Sequence, residues 1–152
     1  MTNSRSVLIF FVGAALLYVA SALIAGIFGY AVFNEGQYYP PSANALPFLG
    51  PIPSQSVILP AEALHGFLIA LVLFPFRKRI QELGRLYGGL ATAFLIFALG
   101  ELSDVIEQSL YYKPLPLGFV AASVVEILIQ ALLFGQLLFI LEKRYGHFAS
   151  VR

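Results

Sequence analysis

The chain runs from Val7 to Phe33 without one charged side chain, and no other feature restricts its fold so strongly. A helix needs about 20 apolar residues to cross a hydrocarbon core ~30 Å thick. In lipid every backbone N–H and C=O must be bonded within the segment or a closed barrel, so such a run spans as a helix. Three more segments qualify, 58–76, 84–110 and 117–141. Pro60 falls in the first turn of the second, where a missing N–H is tolerated, and Pro75 precedes its exit through Arg77-Lys78-Arg79. The rest of the composition agrees, with 59% hydrophobic and 11% charged residues against about 45–50% and about 25% in soluble domains. A soluble domain of 152 residues has too high a ratio of surface to volume to hide that much apolar material. The expected fold is an all-α integral membrane protein, one antiparallel bundle of four transmembrane helices filling residues 1–152.

Arg5 ahead of an apolar run, with Ala20-Ser21-Ala22 behind it, resembles a cleavable leader. The apolar sequence continues past that point to Phe33, which favours a retained span. Orientation follows from lysine and arginine in short loops. Arg5, Arg77, Lys78, Arg79, Arg85, Lys143, Arg144 and Arg152 share one side, and Lys113 alone lies on the other. Both termini are therefore expected in the cytoplasm, and the protein in a plasma or inner membrane. The outer connections carry Tyr38-Tyr39 and Tyr111-Tyr112, which read as interfacial anchors. The outer loop, 34–56, holds several prolines with Leu46, Phe48 and Leu49 and should fold over the bundle's mouth. Short connections at 77–83 and 111–116 make the second, third and fourth helices sequential neighbours. Ser21, Ala25 and Gly29, and likewise Gly84 and Gly88, space small residues four apart for close packing within the bundle or at a homo-oligomer face.

Charge inside the spans carries the functional signal, since each acid costs about 2.5–3.5 kcal/mol at mid-helix. The second helix has Glu62 and His65, the third Glu101, Asp104, Glu107 and Gln108, the fourth Ser123, Glu126, Gln130 and Gln136. Glu62 and His65 share a face, as do Glu101, Asp104 and Gln108, and Ser123, Glu126 and Gln130. Counted at about 1.5 Å per residue from each outer end, Glu62 and Glu107 lie about 5–6 Å deep, His65 and Asp104 about 9–10 Å, and Glu101 and Glu126 about 14 Å. Below Glu126 only Gln130, Gln136 and Thr92 interrupt apolar sequence, so the polar feature reads as a pocket open outward without a through-path.

Gathered carboxylates must share protons, bind a cation or meet a base. Glu62, His65, Glu101, Asp104 and Glu126 are ligand types suited to divalent zinc, iron or manganese. Glu62-x-x-His65 has the i, i+3 spacing of carboxylate-bridged dimetal bundles, but the second Glu-x-x-His those require is missing. The expectation is an outward-facing cation site, holding a divalent metal or shared protons, with His65 and Asp104 at its centre, Glu101 and Glu126 as floor and Glu62 at the mouth. Glu107, Gln130 and Ser123 are secondary polar residues. Such a site suits a small metalloenzyme acting on a lipid-soluble substrate. A proton- or cation-coupled transporter and an accessory subunit of a larger membrane complex are the alternatives. The chain has no cysteine, no phosphate-binding loop or nucleophile elbow, no basic-aromatic interleaving for nucleic acid, and one membrane histidine where a bis-histidine haem needs two.

Overall fold

A computed structural model describes residues 4–39, 54–98 and 116–145, and nearly all of them are helical. Helix α1 (Ser4–Phe28) widens into a π turn at Gly29–Phe33. Asn34 then takes a left-handed conformation (φ 51°, ψ 44°) and a short 3-10 turn follows at Glu35–Tyr38. Helix α2 (Gln55–Leu73) tightens through a 3-10 turn at Phe74–Phe76 into α3 (Arg77–Glu82). Helices α4 (Gly84–Ile96) and α5 (Leu117–Tyr145) complete the described elements. Among these residues three segments are long and apolar enough to cross a membrane, Val7–Phe33, Gln55–Glu82 and Leu117–Arg144, with mean hydropathies of 2.6, 2.1 and 2.3. The distal part of the expected third span, to residue 110, and the loop 40–53 lie outside the described residues.

Side-chain placement is that of a protein dissolved in lipid. Leu8, Leu16, Ile27, Val72, Leu86 and Phe94 are more than half exposed, whereas the interior is built on Ala14, Ala25, Ala70, Ala122 and Ala131 around Phe10, Tyr18 and Phe134. Between helices in a membrane there is no solvent-driven gain from burying leucine, so small residues that admit close backbone contact take the interfaces.

Three boundaries differ from the sequence expectation, each for a local reason. Helix α2 begins at Gln55, three residues before 58, because the Ser54 carbonyl accepts from the Val57 and Ile58 amides at 2.9 and 3.1 Å. Pro75 does not end the helical path, since the 3-10 turn accommodates its missing N–H and residues 77–82 are helix where a loop was expected. The break falls at Gly84, whose φ of 77° needs glycine and whose missing Cβ faces open space. Gly84 thus serves the turn, while Gly88 packs directly on Phe139 and the Ile80 carbonyl.

Helix α1 packs between α2 and α5, and α4 packs on the other flank of α5. Among the described residues α2 and α4 make at most slight contact; the expectation that the second, third and fourth helices are successive neighbours falls in part on residues 99–110, outside those described. The six residues of α3 carry the chain about 9 Å along its axis and deliver it to α4 and α5. The pairing of α4 with α5 does follow the expectation, knit by Gly88 on Phe139, Gly89 on Gln136 and Gly135 on the Ala93 backbone.

Candidate functional site

The small residues of α1 do more than bring helices together. A Cβ on Gly26 would lie 3.3 Å from Glu126 Oε1, and one on Gly29 would lie 2.7 Å from Glu35 Oε2 and 3.0 Å from Glu126 Oε2. Two carboxyl groups thus occupy the space that these glycines vacate, one from α5 and one from the turn after α1. Left-handed Asn34 reverses the chain and points Glu35 back at the helix it has just left. Glu35 is 4% exposed, and its Oε1 has no hydrogen-bond partner. The Glu35 and Glu126 carboxyls thus meet at Gly29, and Glu62 of α2 is close enough for its charge to act on Glu126. An ionised carboxylate can only accept, so two carboxyls can bond to one another only across a shared proton.

Aromatic rings close this end. Tyr38 and Tyr39 pack on Phe119 of α5, with centroids 5.3 and 6.4 Å away, and Gly118 leaves room for the Tyr38 hydroxyl, 2.6 Å from where a Cβ would stand. These half-buried tyrosines fasten the turn to α5 as well as standing where a membrane anchor would. Burial raises the Tyr39 phenol above its usual range, and the nearby Glu35, Tyr30 and Glu126 raise it further, because a phenolate there would face other negative groups.

His65 belongs to a second layer. Its Nδ1 lies 3.1 Å from the Tyr18 hydroxyl with the rings 4.9 Å apart, and Gly66 beside it lets α2 close directly on Tyr18. Ser21 donates to the Tyr18 carbonyl at 2.8 Å, and the Phe134 ring meets Tyr18 edge-on at 5.0 Å. Gln130 is buried, and Ser123 and Glu62 are half-buried.

For His65 and Glu126 the depth order is the reverse of the expected one. Glu126 meets α1 at Gly26 and Gly29, whereas His65 meets it at Tyr18, eight residues or about 12 Å further from the Glu35 end. Glu126 is therefore level with the mouth and His65 lies beneath it. Depth counted from each helix's own end assumed level ends. Helix α2 starts three residues early, which sinks Glu62 and His65, and the 29-residue α5 overshoots α1, which raises Glu126.

Glu101, Asp104 and Glu107 lie outside the described residues. Among the described residues no three His, Cys, Asp or Glu side chains are grouped to hold a metal ion. Two buried acids escaped the sequence reading. Glu35 was assigned to the outer loop, though Asn34-Glu35-Gly36 is turn chemistry able to fold an acid back. Glu142 was passed over beside Lys143 and Arg144, yet it is 5% exposed and faces a cavity at the arginine-rich end. No family model, curated protein or solved structure matches the chain.

Proposed function

We propose that this is a multi-pass protein of a plasma or inner membrane, with four spanning helices and both termini cytoplasmic, that holds an exchangeable proton in a carboxyl pocket facing outward. The observation that carries the reading is the meeting of buried Glu35 and half-buried Glu126 at Gly29, with Glu62 near enough to act on Glu126. Carboxyls brought together must share a proton, bind a cation or meet a base. The excess of lysine and arginine around Arg77 and Arg144 supports an inward-facing opposite end. The divalent-metal form of the reading depends on Glu101 and Asp104 joining Glu62, His65 and Glu126. The proton form rests on groups already in contact and is the one put forward.

An infrared pH titration of the purified protein tests it. A protonated-carboxyl C=O band should persist at neutral pH and disappear in Glu126→Gln, with Glu35→Gln altering its midpoint. Absence of that band in the wild type, or its indifference to both substitutions, would remove the proton site. Elemental analysis of the same sample decides the metal form, because a stoichiometric metal would displace the proton. Flux in liposomes separates a blind pocket from a transporter: no proton current above empty vesicles is expected, and a current lost in Glu126→Gln would favour transport.

A further inference from the structure

At the arginine-rich end the four packed helices leave a cavity of about 240 Å³ counted with its open mouth, and Phe10, Phe74, Arg77, Thr92, Leu138 and Glu142 shape it. Its enclosed part has room for about one water-sized group. Glu142 is 5% exposed, and its Oε1 is fully buried with no hydrogen-bond partner. Leaving an acceptor so buried and unpartnered costs free energy that a bound donor would recover. Arg77 is near enough for its charge to be felt at Glu142. Its guanidinium donates to the Phe74 carbonyl at 2.8 Å and lies 4.0 Å from the centre of the Phe74 ring, so it is fixed at the mouth with donors to spare. Thr92 donates to the Gly88 carbonyl at 2.9 Å, which leaves its oxygen able to accept.

The cavity therefore offers acceptors at its closed end, a cation at its mouth and aromatic and aliphatic walls between. It sits where apolar sequence gives way to Arg77-Lys78-Arg79 on one strand of the bundle and to Lys143-Arg144 on another, which is the depth of lipid headgroups. We infer that this cavity binds the zwitterionic headgroup of a phospholipid bearing a primary ammonium, with the ammonium on Glu142 and Thr92 and the phosphate on Arg77. A primary ammonium is water-sized and supplies the missing donors. A trimethylammonium has no N–H and is too large for the enclosed part.

The test compares full-length protein in nanodiscs containing equal amounts of phosphatidylethanolamine and phosphatidylcholine, with retained lipid read by native mass spectrometry. The ethanolamine lipid should be enriched about tenfold, the value of one net charge-assisted hydrogen bond, and a series of N-methylated headgroups should lose the enrichment stepwise. Glu142→Gln should abolish the preference. Equal retention of the two lipids by the wild type, or an unchanged preference in a folded Glu142→Gln, overturns the assignment. The wild-type headgroup series decides the matter even if that variant does not fold. Soluble phosphoethanolamine at millimolar concentration should not displace the lipid. If it does, the free zwitterion is the ligand and the lipid assignment fails.

Discussion

Replacing Gly29 by alanine tests whether α1 is shaped for carboxyl groups or only for helix packing. The added Cβ would stand 2.7 Å from Glu35 Oε2 and 3.0 Å from both Glu35 Cδ and Glu126 Oε2. Ordinary contact begins near 3.4 Å, so the Glu35 carboxyl must retreat by about 0.7 Å, which would break a proton shared with Glu126. A hydrogen bond to a charged group is worth about 1.5–3 kcal/mol net. Alanine returns up to about 1 kcal/mol through helix propensity. The balance is a destabilisation of about 0.5–3 kcal/mol, measured by reversible unfolding in mixed micelles. Gly26→Ala is the control, because its Cβ would meet only the end of the Glu126 side chain, at 3.3 Å. There the propensity gain leads, and the outcome should lie between neutral and about 1 kcal/mol more stable. The cost at Gly29 should also shrink when Glu35 is already alanine, leaving only the 3.0 Å approach to Glu126, since the coupling in a double-mutant cycle isolates the pair. An equal cost in both backgrounds would show that Gly29 serves backbone packing and that the carboxyl cradle is incidental.

Three further outcomes follow from the same geometry. The phenol of Tyr39, identified by difference against Tyr39→Phe, should titrate above the ordinary tyrosine range in ultraviolet absorbance. Its stabilising contribution is complete below that range and disappears as pH rises through the elevated folded-state value; Glu35→Gln should lower the midpoint only in part, because burial is the larger cause, and a midpoint unmoved from a free tyrosine's would refute the packing of the turn on α5. Gly66→Ala would drive a Cβ into Tyr18 and to 3.1 Å from the Ala14 carbonyl, so α1 and α2 must part at a cost of about 1–3 kcal/mol, and a neutral result in mixed micelles would mean that the His65–Tyr18 contact is not tightly held. In this cysteine-free chain, Ser42→Cys and Lys113→Cys should react with an impermeant thiol reagent in intact cells while Arg79→Cys and Ser150→Cys stay silent, and the opposite pattern would turn the carboxyl pocket to face the cytoplasm.

The first, second and fourth spans were legible because length and apolarity act over twenty residues and survive errors at the ends. Angular placement was legible too: Glu62 and His65 were expected on one face, and the structure turns both toward the interior side of α2. Depth was not, because it depends on how far each helix slides past its neighbours, and that is fixed by contacts such as Gly66 on Tyr18 that no periodicity contains. The short α3 was hidden for a similar reason. Arginine and lysine after a proline read as a loop, while the chain between Phe76 and Gly84 needed only backbone continuity to stay helical. Glu35 was missed because its position rests on one left-handed residue, Asn34, which turns an apparent loop acid into a buried one. Glu101, Asp104 and Glu107 remain a matter of sequence, with the face that Glu101 and Asp104 share with Gln108 as the argument.

The inverted distribution of side chains, alanine and glycine within and leucine and isoleucine without, has a consequence for engineering. What specifies the helix contacts and what keeps the protein in the bilayer are written in different residues. Repainting Leu8, Leu16, Ile27, Val72, Leu86 and Phe94 with glutamate, lysine and glutamine would change the solvent that the bundle requires while leaving untouched the contacts at Gly66, Gly88, Gly89 and Gly135. A water-soluble edition of this protein would be a change of coat over an unaltered frame.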